Sequence, residues 1–135
     1  GGLHLILGRM MVPRLKLLIV DDDKLILRII TETLGKDFEF AQFTTADEAY
    51  DYLTENEVNL LLTDYRLEDS DSLALIQKAK EIKPHLKVLV MSGSVGVQAA
   101  LSKGLVDGLV DGFLEKPFQL EILRETIKEL TKCYS

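Results

Sequence analysis

Acidic residues stand at the ends of two apolar runs in this sequence. Asp21, Asp22 and Asp23 follow the run LLIV, and Asp64 follows the run LLLT. Carboxylates held close together repel, by roughly 4 kcal/mol for two charges about 4 Å apart at an effective dielectric of about 20. Such a group either takes up a proton at a raised pKa or is neutralised by a cation. An open cluster of carboxylate oxygens suits Mg²⁺, which keeps several water ligands.

Two further polar side chains follow later apolar runs. Ser92 follows LKVLVM, and Lys116 follows GFLE and precedes Pro117. A hydroxyl donor and a mobile ammonium are both suited to phosphoryl oxygens. A carboxylate beside Mg²⁺ can itself act as the nucleophile and form an aspartyl phosphate. Asp64 is the central candidate, because metal ligands would lie on one side of it and Ser92 and Lys116 on the other.

Each of these residues also has an ordinary structural interpretation. An acid after a strand is often a helix N-cap, so Asp22 or Asp23 could simply cap the first helix. A lysine before proline is usually a solvated loop residue, and a serine after a strand is usually a turn or cap residue. The combination is more specific than any member, since four separate strand ends must each offer suitable chemistry.

The apolar periodicity predicts five strands that alternate with five helices. The strands are predicted over 15–20, 38–43, 58–63, 86–91 and 112–115, and the helices over 23–35, 45–56, 71–84, 96–103 and 119–130. Thr45 is the predicted N-cap of the second helix, and Gly35 and Pro84 end the first and third. Continuous apolar strands between helices predict an α/β fold with a doubly wound parallel sheet in the order 2-1-3-4-5.

Three of these helices carry a clear apolar stripe that predicts core positions. The stripes are Leu27, Ile30 and Leu34; Leu75, Ile76, Ala79 and Ile82; and Leu120, Leu123, Ile127 and Leu130. In the proposed sheet, adjacent strands lie about 4.8 Å apart, and ligands bind at the carboxyl ends of the strands. We therefore expect the acids, Ser92 and Lys116 to converge on one edge.

Composition is typical of a single globular domain. The chain has 135 residues, of which 47% are hydrophobic and 28% charged. The net charge of −6 argues against a nucleic-acid surface, which needs clustered Lys and Arg. Cys133 is the only cysteine, so no internal disulfide forms and the fold does not depend on an oxidising compartment. We expect a cytoplasmic protein.

The first twelve residues differ from the rest of the chain. Residues 1–12 are predicted to be an expression leftover or an upstream extension, with Met10 or Met11 as the natural start, and residues 13–135 are predicted to form the domain. The apolar part of this extension is too short to cross a bilayer, which takes about 20 residues. We therefore expect no membrane association.

Taken together, these motifs resemble the receiver domain of two-component response regulators, the CheY-like fold. The similarity covers nearly all of residues 15–131. LLIVDDD resembles the first strand of the family with its acidic pair, and LLLTDYRLEDSDSL resembles the segment that accepts the phosphoryl group. VLVMSGS and GFLEKPF resemble the ends of the fourth and fifth strands.

The resemblance implies a role for each matched residue. Asp64 would be phosphorylated, and Mg²⁺ would be held by Asp21, Asp22, Asp64 and the backbone carbonyl of Arg66. Ser92 would be the switch hydroxyl, Lys116 the phosphate-binding lysine and Phe113 the aromatic switch. The family's Lys–Pro bond is often cis, which proline makes accessible.

The resemblance also implies partners. A sensor histidine kinase or phosphotransfer protein would donate the phosphoryl group, and the domain would at most catalyse its own phosphorylation and dephosphorylation. Ser92 and Phe113 would then change the face made by the fourth helix, fifth strand and fifth helix, which binds a downstream protein or effector domain. Pairing of two copies through this face is possible.

The sequence departs from the family pattern beside the site. Leu67-Glu68 replaces the usual Met-Pro, and Asp71-Ser72 replaces the usual Asp-Gly, so the loop is expected to differ in shape or mobility. The tandem repeat GLVDGLVD, residues 104–111, is either a tolerated loop insertion or a change to the output face. Arg66 and Ser94 are expected near the phosphoryl group, where they would affect its loss.

Two other functions are open at this point. Asp21 and Asp23 superficially fit a haloacid-dehalogenase phosphatase, whose first strand ends in an aspartate nucleophile, but this leaves Asp64 and Lys116 less explained. The other is an interaction module that keeps the acids without being phosphorylated.

Overall fold

Five parallel strands and four helices form most of the part of the molecule that the structure describes. The structure is a computed structural model, and it describes residues 14–67, 70–93 and 108–134. The strands are β1 (Lys16–Val20), β2 (Glu39–Phe43), β3 (Leu60–Asp64), β4 (Arg66–Leu67), β5 (Ser70–Asp71), β6 (Lys87–Ser92) and β7 (Gly112–Glu115). The helices are α1 (Lys24–Leu34), α2 (Ala46–Glu55), α3 (Leu73–Ile82) and α4 (Leu120–Leu130), followed by a short 3₁₀ turn (Lys132–Tyr134).

The main sheet has the strand order β2-β1-β3-β6-β7, with every pair parallel. This confirms the predicted doubly wound sheet in the order 2-1-3-4-5. The register pairs Val20 with Thr63, Asp64 with Met91 and Ser92 with Glu115. Because these pairs lie at the carboxyl ends of their strands, the polar residues that follow them share one edge of the sheet.

Hydrophobic cores cover both faces of the sheet. On one face, Leu27, Ile30 and Leu34 of α1 and Leu123 and Ile127 of α4 pack on alternate residues of β1, β3 and β6. On the other face, buried residues of α2 and α3 pack on the remaining alternate residues of the same strands. The central strands are buried on both sides, which explains why their sequences are continuous apolar runs.

Two predicted core positions are wrong. Ile82 and Leu120 were assigned to inward stripes, but both are exposed in the structure, while Leu130 is only partly buried. Ile82 is the last residue of α3 and Leu120 the first residue of α4. Helical periodicity continues to a helix end even where no neighbouring element covers that end, so the pattern alone overestimates burial there.

Local signals set the helix boundaries. The Asp23 carboxylate accepts a hydrogen bond from the Leu25 amide and caps α1, and the Thr45 hydroxyl accepts from the Glu48 amide and caps α2. Gly35 follows the last residue of α1, where a Cβ atom would lie only 2.8 Å from the carbonyl oxygen of Thr31. Glycine therefore avoids a steric clash at the end of this helix.

The loop after β3 folds into a small hairpin. Arg66 pairs with Asp71 and Leu67 pairs with Ser70 in a two-stranded antiparallel ladder, and the Ser72 amide donates to the Tyr65 carbonyl at 2.8 Å. The ladder describes this loop only on either side of residues 68–69, so its expected difference from the family in shape or mobility stays a prediction. Glu68 itself lies outside the described residues.

Several sequence-based expectations fall outside the described residues. These are the extension at residues 1–12, the helix predicted over 96–103, Ser94 and the first copy of the GLVD repeat. Among the helices that the structure describes, none is both long and apolar enough to cross a membrane.

Candidate functional site

Three carboxylates meet at the carboxyl edge of the sheet. Asp21 follows the last residue of β1, Asp22 is the next residue, and Asp64 ends the neighbouring strand β3. One carboxylate oxygen from each of the three lies within 4.8 Å of the others. The sequence predicted this convergence, and the parallel pairing of β1 with β3 produces it.

Lys116 supplies the positive charge of the site. It follows β7, and its ammonium nitrogen lies 3.1 Å from Asp21 Oδ2 and 3.5 Å from Asp64 Oδ2. One cation therefore contacts two of the three acids. At these distances the attraction of Lys116 offsets part of the repulsion among the three carboxylates. Three carboxylates and one ammonium still leave the site with a net negative charge.

Asp21 and Asp64 differ in how much of their carboxylates remains free. The side chain of Asp21 is 0% exposed, its Oδ1 accepts a 2.9 Å hydrogen bond from the Asp23 amide, and its Oδ2 faces Lys116. The side chain of Asp64 is 16% exposed. Asp21 is thus fixed on both oxygens, whereas an incoming group can reach Asp64.

The environment disfavours the charged form of both buried acids. Burial raises the pKa of Asp64 above its ordinary value, against the attraction of Lys116. Burial likewise raises the pKa of Asp21, against the hydrogen bond from Asp23 and the charge of Lys116. Burial alone would lower the pKa of the Lys116 ammonium, but Asp21 and Asp64 outweigh it and raise that pKa. A further cation at this edge would relieve the two acids.

Ser92 lies at the end of the strand next to Asp64. It is the last residue of β6, it is buried, and its carbonyl accepts a 2.7 Å hydrogen bond from the Lys116 amide. The Tyr65 amide donates to the carbonyl of Met91, the residue before Ser92. The ends of β3, β6 and β7 are therefore fastened together by backbone bonds around the acid cluster.

The peptide bond between Lys116 and Pro117 is cis. The resemblance implied this conformation, and the cis bond directly follows the lysine that contacts the acids. Phe113 lies three residues earlier, in β7, where it is partly buried and packs against the core on the α2 and α3 face. Phe113 is therefore near the site along its strand without belonging to the charged cluster.

Arg66 has an exposed side chain at the start of the hairpin, two residues after Asp64. Its backbone amide also hydrogen bonds to Asp64, which favours the charged carboxylate. The predicted position of Arg66 beside the site is thus consistent with the hairpin geometry.

Asp23 has a structural role that the sequence only partly indicated. It was expected as one of two possible helix caps, and it does cap α1 through its side chain. Its backbone amide also holds Asp21 Oδ1, so the same residue orients a member of the acid cluster. The Asp-x-Asp spacing is the signal for this turn, because an aspartate often bonds to the amide two residues later.

The sequence model of the response regulator receiver domain family matches residues 17–128 of this chain. Among curated relatives, the chemotaxis protein CheY homolog of Campylobacter jejuni is 33% identical over 125 residues, covering 86% of this chain and 92% of the relative. The response regulator receiver protein CpdR of Brucella abortus is 30% identical over 118 residues, covering 87% and 94%.

A solved structure shows the same fold. The CheY-like response regulator receiver domain protein of Methanospirillum hungatei superposes with a TM-score of 0.75 at 28% identity, and the match covers 86% of this chain and 92% of that one. This agrees with the strand order of the sheet described above. Phosphorylation-based signalling is the standard function of such domains, and it is a signalling rather than an enzymatic function. The chain belongs to the receiver domain family of two-component response regulators.

Proposed function

We propose that Asp64 accepts a phosphoryl group from a sensor histidine kinase or phosphotransfer protein. The observation that supports this most directly is the meeting of Asp21, Asp22 and Asp64 with Lys116, which contacts two of these acids. Asp64 is the acceptor in this proposal because its carboxylate is partly exposed, whereas both oxygens of Asp21 are engaged.

The donor set of the site fits Mg²⁺. Three carboxylates offer oxygens within 4.8 Å of one another, and oxygen is the ligand that Mg²⁺ prefers. We assign Asp21, Asp22, Asp64 and the backbone carbonyl of Arg66 to this ion. When bound, Mg²⁺ supplies positive charge that offsets the acids and the oxygens of the transferring group.

In the proposed reaction an Asp64 carboxylate oxygen attacks the phosphorus of the donor. A new P–O bond forms, the bond between phosphorus and the leaving group breaks, and the leaving group keeps that electron pair. Lys116 stabilises the phosphoryl oxygens, exchanging part of its present contact with Asp64 for them. Loss of the phosphoryl group occurs by attack of water, and the exposed Arg66 influences the access of that water.

Ser92 and Phe113 carry the signal away from Asp64 in this proposal. Ser92 ends the strand beside Asp64, and Phe113 lies on the adjacent strand β7. In this proposal the Ser92 hydroxyl bonds an oxygen of the new phosphoryl group. The affected surface is the one formed by the helix predicted over 96–103, by β7 and by α4. A downstream protein, an effector domain or a second copy of the chain would bind there.

Two companion proposals concern the chain as a whole. We propose that residues 13–135 form the receiver domain, which is supported by the core that runs from β1 to α4. We also propose a cytoplasmic site of action without direct nucleic-acid binding, supported by the single cysteine and by the net charge of −6.

The phosphatase alternative loses its support in the structure. A haloacid-dehalogenase phosphatase would need Asp21 as a free nucleophile, but Asp21 is fully buried with both oxygens engaged. Asp23, the second acid of that pattern, uses its carboxylate to cap α1. The family match agrees, since it identifies a receiver domain.

Intact mass spectrometry after incubation with acetyl phosphate and Mg²⁺ tests the proposal. We expect one added phosphoryl group on the wild type, none on Asp64→Asn and none with excess chelator. Asp47→Asn, which removes an exposed acid from α2, is the matched control and should be labelled like the wild type. Lack of label in every sample, with short-lived species trapped, would support the phosphorylation-independent module.

Two further variants separate the remaining roles. Ser92→Ala should still be labelled but should lose the phosphorylation-dependent change in partner binding, whereas Ser92→Thr should keep it. Arg66→Ala should change the half-life of the labelled form, measured by the decay of the added mass. An unchanged half-life would show that Arg66 does not control water access.

A further inference from the structure

Strand β2 forms one edge of the main sheet, and no described residue pairs with its outer side. The Glu39 amide donates at 2.9 Å to the carbonyl of the residue before β1, and the Phe43 carbonyl accepts a 3.2 Å bond from the residue after β1. Backbone groups alternate in direction along a strand, so the residues at 39, 41 and 43 face β1. The amides and carbonyls of Phe40 and Gln42 therefore point away from the sheet.

The open edge of β2 lacks the features that usually protect such edges. Its five residues, EFAQF, contain no lysine or proline, and its pairing with β1 is regular, without a bulge. Glu39 and Gln42 are exposed, and the other three residues are partly buried. Two amides and two carbonyls thus form a short row of open hydrogen-bonding groups, which is a template for another extended chain.

A groove of about 450 Å³ lies between the last residue of β2 and the side of helix α2. Phe43 and Tyr52 line it, and their ring centroids are 5.5 Å apart. Three acids of α2, which we call the acid row, also line it: Glu48, Asp51 and Glu55. In a strand added beside β2, every second side chain would point to the α2 face of the sheet, where this groove lies.

The acid row has no cationic partner among the described residues. Glu48, Asp51 and Glu55 are exposed, and no described lysine or arginine forms an ion pair with them. Spacings of three and four residues place them on one side of α2, where like charges repel. The Lys16 ammonium lies 5.7 Å from the Tyr52 ring centroid and donates to its hydroxyl at 2.9 Å, so an aromatic ring of the groove already accepts an ammonium group.

The length of the acid row suits an extended segment. Glu48 and Glu55 are seven residues apart, which corresponds to roughly 10.5 Å along the helix at about 1.5 Å per residue. Alternate residues of a strand are roughly 6.7 Å apart, so three of them span about 13 Å. Three basic residues at alternating positions of one added strand can therefore face the whole acid row.

We propose that the open edge of β2 binds an extended, basic segment of a partner protein as an added strand. The backbone of the segment bonds to Phe40 and Gln42, and its alternate Lys or Arg side chains face the acid row. Antiparallel pairing of β2 with its copy in a second molecule is disfavoured, because two-fold symmetry would bring two acid rows to the same face of the joined sheet. This surface lies outside the acid cluster at the carboxyl edge, and its binding is independent of phosphorylation of Asp64.

Nuclear magnetic resonance titration of the isotope-labelled chain with a capped peptide, TKTKTKT, tests the proposal. We expect the amide signals of Phe40 and Gln42 to shift and to reach saturation. The same peptide N-methylated at its third and fourth residues should not bind, because it lacks an amide donor on each edge of the strand. The acidic peptide TETETET should not bind either. Equal binding of the acidic peptide would overturn the proposal, as would signals of β2 that do not shift.

Two double variants isolate the contribution of the acid row. Asp51→Asn with Glu55→Gln should weaken binding of TKTKTKT by roughly fivefold, as expected for the loss of two exposed charge pairs. The matched control, Glu81→Gln with Glu121→Gln, removes two exposed acids from other helices and should bind like the wild type. Equal affinities of the two double variants would contradict the proposed charge recognition.

A further variant isolates the contribution of the strand edge. Gln42→Pro removes an outward amide donor and no bond to β1, so the circular dichroism spectrum should be kept while peptide binding is lost. If this variant does not fold, the N-methylated peptide makes the same test on the unaltered chain. Signals of Phe40 and Gln42 that shift with protein concentration in the absence of peptide would assign the edge to a second copy and overturn the proposal.

Discussion

Lys116 and Asp21 are 95 residues apart in the sequence, and their charged atoms lie 3.1 Å apart in the structure. The carboxylate of Asp21 is fully buried, so it depends on this ammonium and on the Asp23 amide for compensation. The contact connects the first strand of the sheet to the end of the last one. It therefore ties the stability of the folded domain to the chemistry of the site.

Removing the Lys116 charge should destabilise the metal-free protein. Lys116→Met leaves the Asp21 carboxylate buried without its cation, and loss of one partner of a fully buried pair costs about 3 kcal/mol or more. Lys116 is 26% exposed, so water screens part of the effect, and we expect about half of that value. Urea denaturation at neutral pH with chelator measures it. Lys128→Met, on the exposed side of α4, should cost less than about 0.5 kcal/mol; equal losses for the two variants would contradict the argument.

In the absence of metal, removing the charge of Asp64 should stabilise the folded protein. Burial raises the folded-state pKa of Asp64 above its ordinary value of 3.8, so the folded protein binds more protons than the unfolded chain between the two values. This stabilising contribution is fully present below 3.8 and is lost as pH rises through the folded pKa. Asp64→Asn should therefore be the more stable protein at neutral pH in chelator.

The test is to measure how the difference in unfolding free energy between Asp64→Asn and the wild type depends on pH. The stability advantage of Asp64→Asn over the wild type should shrink as pH falls through the folded pKa of Asp64 and level off below 3.8, because Asp64 is then mostly protonated in both states. Adding Mg²⁺ at neutral pH should stabilise the wild type more than the variant, since an ion that binds only the folded state raises its stability. A pH-independent difference would show that the charge of Asp64 is not the cause.

Asp111, directly before β7, links this strand to β6 and α3 through its carboxylate. Its carboxylate accepts a 2.8 Å hydrogen bond from the Val88 amide and lies 3.2 Å from the Lys80 ammonium. Asp111→Ala should lower the free energy of unfolding by about 1–2 kcal/mol, because a β6 amide loses its partner. The exposed pair of Arg28 and Glu32 provides the control, and Glu32→Ala should cost less than about 0.5 kcal/mol. A similar cost for both would mean that Asp111 acts only as a surface charge.

The Tyr65 side chain is almost completely buried beside the site, and no described residue forms a hydrogen bond with its hydroxyl. Tyr65→Phe should therefore be neutral or stabilising by up to about 1 kcal/mol, since it removes an unpaired polar group from the core. Tyr65→Ala should cost roughly 3–5 kcal/mol because it opens a cavity. Chemical denaturation of both variants measures the difference. A loss of more than about 1 kcal/mol in Tyr65→Phe would reveal a hydrogen bond to that hydroxyl.

The sequence by itself determined the architecture and the identity of the charged site. Continuous apolar strands between amphipathic helices require a parallel sheet covered on both faces, and a parallel sheet places its strand ends at one edge. The sequence alone therefore predicted that the acids, Ser92 and Lys116 lie at the same edge of the sheet. Thr45 as a cap was equally predictable, because a cap bonds to amides only a few residues away.

The tertiary structure decided which atoms meet and which surfaces stay open. The sequence made Asp64 the central candidate and Asp21 a metal ligand, but only the fold buries Asp21 completely and leaves part of Asp64 exposed. Ile82 and Leu120 fit their helical stripes, but neither is covered in the structure. The physical reason is range: propensity, capping and periodicity act over a few residues, whereas burial and ion pairing depend on which distant elements come together.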